Sequence, residues 1–187
     1  MPWSSPVHIL ESLEVVRDLN PKSILDVGIG FGKWGFLFRE NLEASKGRVS
    51  QEQWKVRIDG IEIFEDYIAE HQRLIYDRIY VGDICQLTDE LDFYDLFFTA
   101  DVLEHIEKLR VLKLISDMKA KCRWMLLLIP IGDVWYNPMR YMFGNENDAH
   151  VSIWNGNEFD DCEKSSVKCT EGGNQHGMYL IKGNLDG

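Results

Sequence analysis

Apolar positions recur along the chain in two alternating rhythms. Val7, Leu10, Leu13, Val16 and Leu19 fall at helical spacing, which predicts an amphipathic helix over residues 6–19. Asn20-Pro21 ends it, because a residue before proline is pushed out of the helical region. Residues 23–27 read as a short buried strand that runs into a glycine-rich turn, and residues 33–42 as the helix after it. The polar stretch 43–53 predicts a loop, and the β-branched alternation of 56–63 a second strand. A helix over 66–76, a strand over 78–81 and a continuous apolar strand over 94–100 follow. Residues 104–122 predict a helix whose buried face holds Ile106, Leu109, Leu112, Leu114, Ile115 and Met118. A fifth strand spans 124–129 and stops at Pro130.

Beyond Pro130 the rhythm changes. Residues 131–160 are rich in aromatics, Asn and Gly and show no period, whereas 164–171 and 176–183 predict two strands around Gly172-Gly173-Asn174. Alternating strands and helices imply an α/β fold with a doubly wound, mostly parallel sheet. With no repeat and no linker, residues 1–187 read as a single domain.

Composition narrows the function classes. Hydrophobic residues make up 45% and aromatics 12%, so a packed globular domain is expected rather than disorder. Twenty basic residues against 31 acidic ones give a net charge of −11, which repels phosphate backbones and anionic membranes. Nucleic acid and membrane are therefore not expected as partners. The longest apolar run, 124–131, is too short to span a bilayer, and the N-terminus lacks a secretory pattern. Four cysteines without a C-x-x-C pair fit reduced thiols and a cytoplasmic setting.

The chemistry concentrates after the first strand, in Asp26-Val27-Gly28-Ile29-Gly30-Phe31-Gly32-Lys33-Trp34-Gly35. Glycines there allow positive φ and close approach of a ligand to the backbone. Gly30-x-Gly32-x-x-Gly35 fits a dinucleotide fingerprint. Gly28-x-Gly30-x-Gly32 preceded by Asp26 fits better a ligand with a cationic amino-acid group, since a carboxylate at that place opposes a pyrophosphate. A ligand-free βα turn is the third reading. The second strand ends Asp59-Gly60-Ile61-Glu62-Ile63, the third is followed by Gly82-Asp83-Ile84, and the fourth by Asp101-Val102-Leu103-Glu104-His105-Ile106. Glu62 lies farther past Gly32 than the ~20 residues of a dinucleotide site, an excess the 43–53 loop absorbs.

In this order the segments resemble the class I S-adenosylmethionine (SAM)-dependent methyltransferases of small-molecule type, strongly over residues 20–131 and weakly beyond. The resemblance implies a Rossmann-like, seven-stranded sheet of order 3-2-1-4-5-7-6 with an antiparallel C-terminal hairpin, and SAM as cofactor. It places Asp26, Gly28, Gly30 and Gly32 at the methionine end of the cofactor and Glu62 on the ribose, with Ile63 against the adenine. Asp83 and Ile84 would meet the adenine edge, and Asp101 and Val102 would line the space near the sulfonium. The alternative readings, less favoured, are a turn or N-cap residue for Asp83 and a solvated strand end for Glu62.

Methyl transfer chiefly requires alignment and exclusion of water, with a base where the acceptor is a hydroxyl. His105 and His150 are the candidate bases; each also reads as a histidine held by backbone contacts. His8, His71 and His176 show no metal-ligand spacing, so no metal site is expected. Trp135, Tyr136, Tyr141, Phe143 and Trp154 predict either a substrate lid over 131–160 or packing beneath a long loop. Residues 1–20, with Trp3 and Pro6, are expected to cover the other side of the cleft. No Asn-Pro-Pro-Tyr-type signature follows strand four, which together with the acidic charge favours O-methylation of a small molecule. An NAD(P)-dependent oxidoreductase and a non-catalytic, cofactor-binding regulatory protein are the alternatives. The oligomeric state stays open between monomer and homodimer.

Overall fold

The central strands are apolar on both faces, as a sheet covered by helices on each side requires. A computed structural model describes residues 3–139 and 144–185. Strands β1 (Ser23–Val27), β2 (Arg57–Glu62), β3 (Arg78–Val81), β4 (Tyr94–Ala100), β5 (Cys122–Ile131), β6 (Lys164–Cys169) and β7 (Gln175–Lys182) form one sheet. Its order is β3-β2-β1-β4-β5-β7-β6, as expected. The first five strands are parallel, and β7 runs antiparallel to both β5 and β6. On one face, α1 (Ile9–Leu19) and α2 (Lys33–Leu42) cover a layer containing Val16, Trp34 and Phe38. On the other, α5 (Lys108–Lys119) and the chain around Trp154 and Phe159 cover a layer containing Leu25, Phe97 and Leu127. Because β1 lies between β2 and β4, the strand order reverses beside it, and a crevice opens at the carboxyl ends of β1 and β4.

Several element boundaries differ from the sequence pattern, each for a local reason. Helix α1 begins at Ile9, and Leu10 is 77% exposed while Ser12, Leu13, Val15 and Val16 form the buried face. The expected helix over 66–76 shortens to α3 (Glu70–Ile75), because the Gln72 amide donates to the carbonyls of Tyr67 and Gly30 and shapes a separate turn ahead of it. A short helix, α4 (Ile84–Leu87), follows β3. Helix α5 begins at Lys108 rather than 104. The Glu104 carbonyl accepts from Val151 N (2.8 Å) and Ser152 N (3.1 Å), so residues 103–105 form an isolated 3₁₀ turn. The buried face of α5 is Val111, Leu114, Ile115 and Met118; Leu109 and Leu112 point outward, 81% and 42% exposed. Strand β5 continues through Pro130 to Ile131. Its parallel partner β4 ends at Ala100 opposite Leu128, so the missing proline N–H breaks no ladder bond on that side.

Two polar segments are more ordered than their composition suggests. Glu43, at the head of the 43–53 loop, is fully buried and accepts from Lys55 N (2.8 Å) and Val56 N (2.6 Å). The terminal hairpin closes through Gly173, at φ +78°, with Thr170 N donating to Asn174 O. Among the aromatics of 131–160, Trp154 is fully buried and stacked on Phe159 at 5.5 Å, which gives it a packing role. Trp135 and Tyr136 lie in a turn nearer the surface, and Tyr141 and Phe143 lie outside the described residues. No helix among the described residues is long and apolar enough to cross a membrane. Replacing Trp154 by Ala is expected to destabilise the fold by about 3–5 kcal/mol, read as a shifted midpoint in urea unfolding.

Candidate functional site

Strand β1 delivers the chain into a loop held left-handed at three glycines, Gly28 (φ 74°), Gly30 (φ 48°) and Gly32 (φ 88°). A side chain is disfavoured at each by its backbone, and at Gly28 also by space: a Cβ there would collide with Val102 Cγ2. The loop is tied to β2. Gly28 N and Ile29 N donate to the Ile61 carbonyl, at 2.8 and 3.1 Å. Gly30 N donates to Glu62 Oε2 (2.9 Å), while Phe64 N donates to Glu62 Oε1 (3.0 Å). Burial raises the pKa of Glu62, and these N–H donors oppose the shift.

The loop borders a cavity of about 680 Å³ at the carboxyl ends of β1, β2 and β4. Of the residues singled out in the sequence, Gly28, Gly30, Glu62, Ile63, Asp83, Ile84, Asp101, Val102 and His105 line it. Asp26, Gly32 and His150 do not. Asp26 sits behind the loop, fully buried, and its carboxylate accepts from the Tyr76 hydroxyl (2.6 Å). That hydroxyl in turn accepts from Gly35 N (3.1 Å), bracing the first turn of α2. Burial pushes the Asp26 carboxyl up to about 7 against the pull of the Tyr76 hydrogen bond. Asp83 faces the cavity and also caps α4 by accepting from Cys85 N (2.9 Å), while Arg110 holds its second oxygen (2.5 Å).

Both sides of the mouth are bridged. Asp101 has φ 56°, unusual for a residue with a side chain. Its carboxylate accepts from Ser5 N (2.7 Å) and lies 2.7 Å from His176 Nε2. Lys33 Nζ donates to Ser4 O (2.6 Å) and Trp34 Nε1 to Ser4 Oγ (3.1 Å). Residues 3–5 thus lie as a strap along the cavity, with Trp3 and Ser4 lining it. Opposite, Asn145, Asn147 and Asp148 line the cavity, and the Tyr67 hydroxyl donates to Asp148 Oδ2 (3.2 Å).

The turn after β4 and the later segment around His150 carry the remaining candidates. His105 Nδ1 lies 3.1 Å from the Ala149 carbonyl, which can only accept, so Nδ1 carries the proton and Nε2 the lone pair. Burial, aided by His150, pushes His105 down to about 4, leaving the ring neutral at pH 7. The His150 ring meets it edge-on at 4.6 Å, with Trp135 stacked at 6.4 Å from His150. Beside them Glu104 is buried, and burial together with the Asp101 charge pushes its carboxyl well above the usual range. One ligating atom from each of Glu104, His105 and His150 lies within 4.8 Å of the others. Sequence spacing carries no sign of this grouping, because His150 comes from a distant, aperiodic segment. The only clue is that both histidines stand out individually.

No family model matches the sequence, and no curated protein matches it. Solved structures do match in shape. The methyltransferase domain of bacterial CtHen1-CN is 14% identical over 93% of this chain and 97% of that one, with a TM-score of 0.56. A SAM-dependent methyltransferase from Archaeoglobus fulgidus is 14% identical over 93% and 94%, with a TM-score of 0.61. DhpI, solved as a complex with SAH, is 14% identical over 92% and 83%, with a TM-score of 0.62. The strand order, the antiparallel seventh strand and these likenesses define a class I SAM-dependent methyltransferase fold.

Asp26 gives this site a pH signature. Its folded pKa of about 7 exceeds the ordinary 3.8, so the folded chain retains a proton that the unfolded chain releases. That contribution to stability is fully present below the ordinary value and is lost as pH rises through about 7. Thermal and urea unfolding of Asp26→Asn should therefore show wild type losing about 3 kcal/mol relative to the variant between pH 5 and pH 8.

Proposed function

We propose that this protein is a SAM-dependent methyltransferase acting on a hydroxyl of a small-molecule acceptor. The observation that carries the reading is the Glu62 carboxylate seated on the Gly30 N–H. A diphosphate needs the N–H groups of such a loop for itself. Here one of them already meets a carboxylate, and Asp26 and Asp101 add acidic groups nearby. That environment disfavours NAD(P) and suits a ligand bearing a ribose diol and a cationic amino-acid end. The cavity volume also falls within the range of small-ligand sites.

On this reading the glycine loop at Gly28 and Gly30 receives the methionine portion, with Asp26 and Gly32 shaping the loop from behind. Glu62 accepts from the ribose hydroxyls, Ile63 and Ile84 flank the adenine, and Asp83 accepts from its amino group. Asp101 and Val102 stand where β4 opens towards the acceptor. When bound, SAM supplies an electrophilic methyl group that needs no further activation. The chain's own task is to align the acceptor and keep water out. The strap at residues 3–5 serves the second purpose on one side of the cleft, and the segment 145–148, within the proposed substrate lid over 131–160, serves it on the other.

His105 lines the acceptor end and His150 backs it. Both stand on the acceptor side as the candidate bases, with the Nε2 lone pair of His105 left over once Nδ1–H is spent on the Ala149 carbonyl. The net charge of −11 supports a small acceptor over a nucleic acid. The unpaired state of all four cysteines supports a cytoplasmic setting.

Calorimetry tests the cofactor assignment: S-adenosylhomocysteine (SAH) should bind, whereas NAD and NADP should give no heat. Glu62→Gln should weaken SAH binding about tenfold, or about 1.4 kcal/mol. Tight NAD binding without SAH binding would restore the oxidoreductase reading. SAH binding with no acceptor-dependent methyl release across hydroxylated small molecules would leave a cofactor-binding regulatory protein.

A further inference from the structure

We propose that Glu104, His105 and His150 form a binding site for one divalent first-row transition-metal ion at the acceptor end of the cavity. The methyltransferase reading bears on what the ion would do, and binding of the ion does not depend on it.

Three observations converge. The first is the grouping itself, with three ligating atoms mutually within 4.8 Å, drawn from the turn after β4 and from a segment 45 residues later in the chain. The second is Glu104. Its side chain is 1% exposed, and neither carboxylate oxygen has a hydrogen-bond partner among the described residues. Buried carboxylates are normally satisfied, and one left without donors needs an explanation. A cation beside Oε1 supplies it. The third is the orientation of His105. Its Nδ1–H is spent on the Ala149 carbonyl (3.1 Å), the arrangement that fixes the tautomer of a metal-binding imidazole. Its Nε2 is thereby aimed towards Glu104 Oε1, 3.9 Å away.

The framework is also stiff enough to hold an ion. Val151 N and Ser152 N donate to the Glu104 carbonyl, and Ser152 Oγ donates to the Leu103 carbonyl. Asn137 N donates to the His150 carbonyl on the other side. Glu104 and His150 are thus clamped into one rigid patch although they come from separate segments. The Asp101 carboxylate is committed to Ser5 and His176 and is not counted among the ligands.

Two imidazoles with one carboxylate suit manganese through zinc better than magnesium or calcium, which prefer oxygen alone. Three protein ligands leave a coordination position open, and His105 lines the cavity, so that position faces the acceptor. A hydroxyl bound there loses its proton to solvent more readily. Its oxygen lone pair forms the new O–CH₃ bond as the S–CH₃ bond breaks. The electron pair of the broken bond stays on sulfur, so the sulfonium becomes the neutral thioether of SAH. The two imidazoles then serve as ligands instead of bases.

The test uses the tag-free full chain, freed of metal with EDTA and titrated with Co(II) while visible d–d absorption is followed. One Co(II) per chain is expected, and Zn(II) should raise the melting temperature where Mg(II) at equal concentration does not. Glu104→Gln and His150→Gln should each weaken Co(II) binding by at least about 100-fold and abolish the zinc-dependent stabilisation. If Glu104→Gln fails to fold, His150→Gln decides. Absence of Co(II) binding to wild type, an equal response to Mg(II), or undiminished binding by a folded variant would overturn the site. SAH binding to the same preparation separates the two claims: SAH without metal removes only the ion, and metal without SAH removes only the methyltransferase reading.

Discussion

The carboxylate of Glu62 joins the end of β2 to the glycine loop leaving β1, and the cavity depends on that join. One oxygen holds Gly30 N and the other Phe64 N, so a single side chain sets the loop's height above the sheet and the direction in which β2 leaves it. The contact also decides the electrostatics. A glycine loop at the head of a helix ordinarily offers N–H groups to an anion. Here a buried carboxylate takes one of them, a second carboxylate, Asp26, lies beneath the loop, and a third, Asp101, stands at the exit of β4. Lys33, the single lysine lining the cavity among the described residues, is turned to the carbonyl of Ser4.

The rest of the cavity is built around this centre by groups that each hold two elements together. Asp83 starts α4 and anchors Arg110 of α5. Asp101, held at positive φ, joins β4 to the N-terminal strap and to His176 of β7. Tyr67 and Asp148 bridge the segments that follow β2 and β5. Because these bridges lie at the carboxyl ends of strands, the sheet below can be a uniformly apolar scaffold while the rim carries the polar work. Strain of the kind seen at Asp101 concentrates at functional positions, and its place at the mouth of the cleft fits that pattern.

The sheet and the glycine-loop side of the cavity are legible in the sequence because their signals are local. Apolar strands such as 23–27 and 94–100, the alternating glycines, and an acidic residue at the end of β2 are all read within a few residues. Helix ends are less legible, since tertiary partners set them: α5 starts late because the Glu104 carbonyl serves Val151 and Ser152. Leu10 and Leu109 match helical spacing yet face outward, because the period alone does not say which edge of an apolar stripe meets the sheet. The position of Asp26 behind the loop depends on Tyr76, fifty residues away, and so escapes a local reading. The grouping of Glu104, His105 and His150 is the least legible, being a product of how an aperiodic segment folds back over the turn after β4.

On the proposed function the glycine loop receives a cationic, ribose-bearing ligand and rejects a diphosphate bridge. That selectivity is tested most directly at the backbone amides themselves, by ¹H–¹⁵N NMR titration of the Gly28, Gly30 and Gly32 resonances. SAH should shift these amides saturably, Gly30 among them as its Glu62 partner engages the ribose, and NAD should leave them in place. Saturable shifts with NAD and none with SAH would contradict it.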